Sequence, residues 1–171
     1  MQIRQLNAED AEQYLELRLG SLKNNPEAFS ASFEEEKERP LEVYTKRLQS
    51  QEISSTYGAF VDSKLVGMVT LLLEDKLKLK HRATIVSMYV IPEIRGNGIG
   101  KSLLKESIEK AEAIPEVEQV YLTVASLNQS AKKLYRNAGF KKYGIEEKAL
   151  KYKGNYFDID HMVLFLEGGN R

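Results

Sequence analysis

Apolar residues recur along this chain with two periods, one helical and one close to two, and the changes of period mark its elements. Gln2 to Leu6 reads as a short strand. Asn7 follows, a side chain suited to accept from the first free N–H groups of a helix, and Ala11, Leu15, Leu19 and Leu22 then fall at helical spacing. Asn24-Asn25-Pro26 stops that helix, and Pro40 suits the first turn of a second, running to about Ser50. Ser54 to Val61 and Leu65 to Leu73 are rich in β-formers, with Asp62-Ser63-Lys64 between them as a hairpin turn. Thr84 to Ile91 predicts a third strand, stopped by Pro92. From Ile99 the period turns helical, placing Leu103, Leu104, Ile108, Ala111 and Ile114 on one side. Gln119 to Val124 is again a strand, and Gln129 to Ala138 a short helix ended by Gly139, a natural left-handed residue after a helix. Strands near Phe140–Ala149 and Asn155–Leu166 close the chain.

The order is β-α-α-β-β-β-α-β-α-β-β. Adjacent strand runs imply antiparallel pairs, while the strand–helix–strand crossover from Thr84 to Val124 implies one parallel pair. This predicts an α/β (α+β) fold, a mixed sheet covered by helices. No internal repeat, low-complexity tract or Gly/Pro/Ser-rich linker divides residues 1–171, which read as a single domain with a loose tail at 167–171.

Composition narrows the function. The 171 residues carry 25 basic and 25 acidic side chains, so no net charge supports a general grip on nucleic acid or anionic lipid. The alternating bases of Lys76 to Arg82 have no interleaved aromatic for base stacking and read as a solvated hairpin edge. With no cysteine, a disulfide framework, a cysteine nucleophile and a thiolate metal site are excluded, and two histidines, His81 and His161, make a histidine-rich metal site improbable. No window approaches the roughly 18 apolar residues of a membrane span, and the first residues lack a signal-peptide core. The expectation is a cytoplasmic protein that binds neither nucleic acid nor membrane nor metal.

The segment richest in chemistry is Val90-Ile91-Pro92-Glu93-Ile94-Arg95-Gly96-Asn97-Gly98-Ile99-Gly100-Lys101, between a strand and an amphipathic helix. Alternate glycines let the backbone turn tightly and approach a ligand. Their N–H groups and the helix N-terminus make a site for phosphate, with Arg95 beside it. A dinucleotide fingerprint fails, since its third glycine would be Lys101 or Leu103. Gly100-Lys101-Ser102 matches the end of a P-loop, but Arg95 replaces its first glycine and Val120–Val124 supplies no magnesium-binding Asp.

What remains is Arg-Gly-x-Gly-x-Gly after a hydrophobic strand. Met88 to Gly100 resembles, without a gap, the central coenzyme A motif of the GNAT superfamily of acyl-CoA-dependent N-acetyltransferases. Asn128 to Phe140 is similar to a second motif of that superfamily, in the right order and at the right separation. The resemblance implies a GNAT-like, mostly antiparallel sheet of about seven strands, helices on both its faces, and acetyl-CoA as co-substrate. It implies that Met88, Tyr89 and Val90 pair with the pantetheine arm where the strand splays from its parallel neighbour. It places the pyrophosphate on Gly96, Asn97, Gly98, Ile99, Gly100 and Lys101 with help from Arg95, sets Asn128 against the coenzyme, and makes Tyr135 the general acid. A homodimer follows from the resemblance alone.

These residue types suit the reaction. A neutral amine attacks a thioester directly, so no nucleophilic side chain is required, and a backbone N–H near Val90 would steady the oxyanion. A thiolate of free pKa about 8.5 leaves against a tyrosine near 10, so Tyr135 stays protonated and able to donate. Each role has a plainer counterpart. Tyr135 shares an apolar helix face with Ala131, Leu134 and Ala138, and Asn128 is also a helix cap. His161, among Tyr156, Phe157, Asp158 and Asp160, reads as a structural histidine, leaving the base unassigned. For the acceptor, the resemblance points to the loop after the first helix. There Phe29 and Phe33 would wall a pocket and Glu34 to Glu36 would draw in a cationic amine such as a polyamine, or else form a short helix with a solvated acidic end. A non-catalytic acyl-CoA-binding module and a P-loop nucleotide hydrolase are the competing functions.

Overall fold

Few of the strand-forming runs alternate cleanly between apolar and polar, because most of the sheet is covered on both faces. The computed structural model describes residues 1–166; the tail expected at 167–171 lies outside the described residues. The strands are β1 (Gln2–Gln5), β2 (Ser54–Val61), β3 (Lys64–Leu73), β4 (Arg82–Val90), β5 (Gln119–Ala125), β6 (Lys141–Tyr152) and β7 (Asn155–Phe165). They form one seven-stranded sheet in the order β1-β2-β3-β4-β5-β7-β6. Every pairing is antiparallel except β4 with β5, the one pair joined by a helical crossover. The fold class and strand number expected from the sequence are therefore borne out.

The helices are α1 (Ala11–Asn24), α2 (Phe33–Glu36), α3 (Leu41–Gln49), α4 (Ile99–Glu112) and α5 (Gln129–Asn137). On one face Leu103, Leu104 and Ala111 of α4, with Tyr135 of α5, pack on Val66, Val69, Leu71 and Ile85. On the other, Ala11, Tyr14 and Leu17 of α1 and Tyr44 and Leu48 of α3 cover Leu65, Met68 and Tyr89. Full burial of one such aliphatic side chain stabilises by about 1.5–3 kcal/mol, so Leu103 and Leu104 together fix where α4 lies and where its N-terminus points. Among the described residues no helix is long and apolar enough to cross a membrane.

Local signals perform as their chemistry requires. Asn7 caps a 3₁₀ turn at Ala8–Asp10, reciprocated by Asp10, and α1 continues from it. Asp62 and Ser63 both turn through positive φ, 49° and 64°, the geometry that matches a hairpin's twist. Gly139 closes α5 at φ 96°. Three readings need correction. Leu15 and Leu19 of α1 are only half-buried, and the inner stripe is Ala11, Tyr14, Leu17, Arg18, Ser21 and Leu22. Both phases obey helical spacing, and the tyrosine and arginine hid the true one. Lys76 to His81 forms turns joining β3 to β4 and not a strand edge. Ile114 lies just beyond α4, although it still packs on the core.

The feature that makes room for a ligand is a fork. β4 and β5 pair only at Arg82–Gln119, Ala83–Val120 and Thr84–Tyr121. Just beyond, Ser87 sits at φ 55°. There β4 carries one more residue than β3 between the pairs Thr70–Val86 and Met68–Tyr89. Such a bulge bends its strand and sharpens the local twist, turning β4 away from β5.

Candidate active site

The fork opens into a cavity of about 710 Å³. Its lining joins β4, the glycine turn, α5, the end of β5, the middle of β6 and β7, and the segment following α1. Of the residues singled out from the sequence, Met88, Tyr89, Val90, Arg95, Gly96, Gly98, Ile99, Gly100, Lys101, Asn128 and Tyr135 all line it. Asn97 does not; its Nδ2 donates to the Ile94 carbonyl at 3.0 Å and so braces the turn from outside.

The turn leaves backbone N–H groups free at a helix start, an arrangement able to hold an anion. Gly96 and Gly98 hold φ of 86° and 79°, a region that costs other residues about 1–2 kcal/mol. Gly100 is already helical. Gly98 occupies the cap position of α4 with no side-chain cap and no acidic residue in the first turn. The first intrahelical bond runs from Ser102 N–H to the Gly98 carbonyl, leaving the amides of Ile99, Gly100 and Lys101 without helical acceptors. Arg95 is stapled in place: Nε donates to the Val90 carbonyl at 2.8 Å and Nη2 to Asn25 Oδ1 at 3.0 Å, and the guanidinium lies 5.3 Å from the Tyr89 ring centre. Asn25, which the sequence reading used only as a helix breaker, thus ties the segment after α1 to the glycine turn.

At the other end stands Tyr135, 6% exposed, its ring edge-on to Phe140. Burial pushes its hydroxyl up to about 12, so it keeps its proton throughout the neutral range. Asn128 Oδ1 accepts from Ala131 N–H at 3.0 Å, capping α5. The cap and the cavity contact coexist.

Besides its apolar packing, α5 is tied down by a charge web invisible in the local sequence. Asp160 of β7 is 0% exposed. It accepts from Ser126 Oγ at 2.6 Å and Lys142 Nζ at 2.9 Å, and Lys132 Nζ lies 2.8 Å from its second oxygen. Burial alone would raise this carboxyl, but the bonds from Lys132, Ser126 and Lys142 outweigh it and hold it well below the usual carboxylate range. Lys132 lies one helical turn before Tyr135, so the web sets the position of the tyrosine.

His161 of β7 and Glu146 of β6, diagonal neighbours across the pair, also line the cavity, with Nε2 and Oε2 3.3 Å apart. The sequence reading treated His161 as structural and did not single out Glu146. The pairing depends on a register with two bulges, which no local signal gives.

The acidic run, read either as a draw for a cationic acceptor or as a short helix with an acidic end, takes the second form. Phe29 lines the cavity; Phe33 and Glu34 to Glu36 are not in its lining. Glu35 completes a capping box with Ser32, Glu34 accepts from Tyr152 Oη at 3.1 Å, and Glu36 is buried against the Tyr44 hydroxyl at 2.6 Å. The acids serve the start of α2 and its packing.

Comparison with known proteins agrees with this geometry. The model of the acetyltransferase (GNAT) family matches residues 22–140. The chain is 26% identical over 147 residues to a spermidine N(1)-acetyltransferase of Vibrio cholerae, spanning 84% of this chain and 83% of that one. It is 28% identical over 121 residues to an L-amino acid N-acetyltransferase of Escherichia coli, spanning 71% and 74%. Its fold superposes with TM-score 0.84 and 20% identity on a phosphinothricin acetyltransferase of Sinorhizobium meliloti in complex with AcCoA, covering 98% of this chain and 89% of that one.

Proposed function

The chain belongs to the acetyltransferase (GNAT) family, and from that premise we propose that it moves the acetyl group of acetyl-CoA directly to a primary amine of a small molecule or peptide, with Tyr135 as general acid. One observation carries the reading: a single cavity runs from an uncapped helix N-terminus, through a forked strand pair, to a buried tyrosine. The pyrophosphate would lie on the amides of Gly96 to Lys101 beside Arg95, Asn128 would meet the coenzyme, and the pantetheine arm would run along Met88–Val90. The same stretch of β4 would supply the N–H that steadies the tetrahedral oxyanion.

The amine must first lose a proton. His161 is suited to take it, with Glu146 at 3.3 Å to orient the ring and steady its charge. The amine nitrogen then bonds to the acetyl carbon, the C–S bond breaks, Tyr135 gives its proton to the departing sulfur, and the second proton that the nitrogen sheds as the amide forms passes through solvent to restore the tyrosine. An acid at about 12 would be poorly matched to a thiol in water. Desolvation, however, raises the leaving thiolate's basicity for the same reason that it raises the tyrosine.

Saturation with acetyl-CoA tests the coenzyme site. At about a hundred times Kd it adds roughly 2.7 kcal/mol, which raises the melting midpoint by about 5–11 °C in a domain of this size, while magnesium–ATP leaves it unmoved. A shift with magnesium–ATP alone would return the turn to the P-loop reading. Amine-dependent release of thiol separates turnover from mere binding, and the absence of cysteine keeps that signal clean. His161→Gln should lower kcat/KM about tenfold and remove the limb of the pH profile that reports the base; an unchanged profile would assign deprotonation to solvent.

A further inference from the structure

The acceptor wall holds a charge that neither the fold nor the acetyl-transfer chemistry uses. Arg18 projects from the inner stripe of α1 and lines the cavity beside Phe29 and Ser30. It is 8% exposed, and its Nε and Nη1 are buried with no hydrogen-bond partner among the described residues. Its guanidinium carbon lies 4.9 Å from the Phe29 ring centre, so an aromatic face supports the group and leaves its N–H edge free.

The surroundings do not neutralise it. Glu36 is the acid that acts on it, but one Glu36 oxygen takes the Tyr44 hydroxyl at 2.6 Å and the other lies 3.4 Å from Arg39 Nε. Arg47 adds a further like charge, and the remaining facing groups, Tyr14 and Tyr44, are phenols. Burial pulls the Arg18 guanidinium below its ordinary value. Leaving a charge buried and unpaired is strongly unfavourable. A side chain kept so is stabilised by whatever anion completes it, and the planar fork of arginine fits a carboxylate with two parallel bonds.

We propose that Arg18 receives a carboxylate of the acceptor, so that the amine acetylated here belongs to a molecule bearing both groups, an amino acid or short peptide, and not to a polyamine. This rests on the acetyltransferase reading above and names its substrate class. A polyamine would bring a second cation against a buried one, whereas an amino acid would anchor its carboxylate on Arg18 and present its amine to the same cavity that holds His161 and Tyr135.

The test pairs acceptors that differ only in charge. Thiol release is measured with the common L-amino acids and dipeptides, with their carboxamides, and with spermidine, and the acetyl-CoA melting shift is followed in parallel. The wild type should favour at least one acid over its carboxamide by tenfold or more in kcat/KM, and over spermidine by more. Arg18→Gln should abolish that preference by raising KM for the acid while leaving the acetyl-CoA shift and the slow rate with the carboxamide in place. Arg18→Met, close in volume and free of the unpaired charge, should do the same and guards against misfolding of the first variant. Equal use of acid and carboxamide, preference for spermidine, or silence from every carboxylate-bearing amine while acetyl-CoA still binds would each overturn the assignment and leave the coenzyme reading standing. An acetyl-CoA shift lost only in the Arg18 variants would transfer the residue to the coenzyme. Loss of that shift in the wild type would instead remove the reading on which the proposal rests.

Discussion

Tyr135→Phe should lower kcat about a hundredfold, the effect expected for removing a positioned acid, with the acetyl-CoA Kd changed by less than about twofold and no loss of thermal stability. The hundredfold corresponds to about 2.7 kcal/mol of transition-state stabilisation. The ring packs edge-on to Phe140, while the hydroxyl has no hydrogen bond to any described residue. Deleting a hydroxyl that bonds no described residue removes no hydrogen bond, so a purely structural tyrosine predicts a Phe variant that is fully active and melts near the wild type. Catalysis and packing therefore predict opposite outcomes for kcat and the same outcome for the midpoint. Steady-state thiol release together with a melting scan reads both.

Asp160→Asn should be the most damaging single change to stability away from the apolar core. Removing one partner of a buried ion pair costs about 3–5 kcal/mol. Here Lys132 and Lys142 retain some access to water, so about 3 kcal/mol is expected, or a midpoint lower by about 6–12 °C. The dependence on pH has a definite sign. The carboxyl is held below its ordinary value when folded, so its contribution is whole above the unfolded value of about 3.9 and is lost as pH falls through the lower folded one. The gap between wild type and variant should thus stay constant from neutrality to about pH 5 and close only at strongly acid pH. A gap that narrowed near pH 6 would place the titrating group elsewhere. Since Lys132 belongs to the helix that carries Tyr135, the variant should also lose activity at temperatures where it remains folded.

What could be read from the chain and what could not divide along a physical line. The anion turn was legible because its requirements are local: positive φ at Gly96 and Gly98, then an amphipathic run whose first turn lacks acids. Asn128 and Gly139 were legible for the same reason, one accepting from the start of α5 and the other closing its end. Arg18 was missed because two helical phases of α1 both place leucines inward, and only the tertiary core selects the one that buries an arginine. His161 with Glu146, and Asp160 with its lysines, were missed because each depends on strand register across bulges that sequence spacing does not encode. The Ser87 bulge itself left no trace, since serine has no special claim on φ 55°. The acidic run after Ser32 shows the converse. Three adjacent glutamates fit recognition of a cation or a short acidic helix equally by charge, and Ser32-x-x-Glu35, a capping box, decides for the helix.

Because β4 and β5 part after three paired positions, this sheet carries two edges in its interior. Exposed edges on a protein surface invite pairing with other chains and are blunted by charge or shortness; these are shielded by their depth, so only a slender extended molecule can lie along them. Their amides should exchange with solvent hydrogen as quickly as those of a frayed rim, despite lying at the centre of the fold, and should slow by orders of magnitude once such a molecule fills the cleft. Rigidity at the heart of this protein would then follow the supply of its ligand and not the distance from the surface.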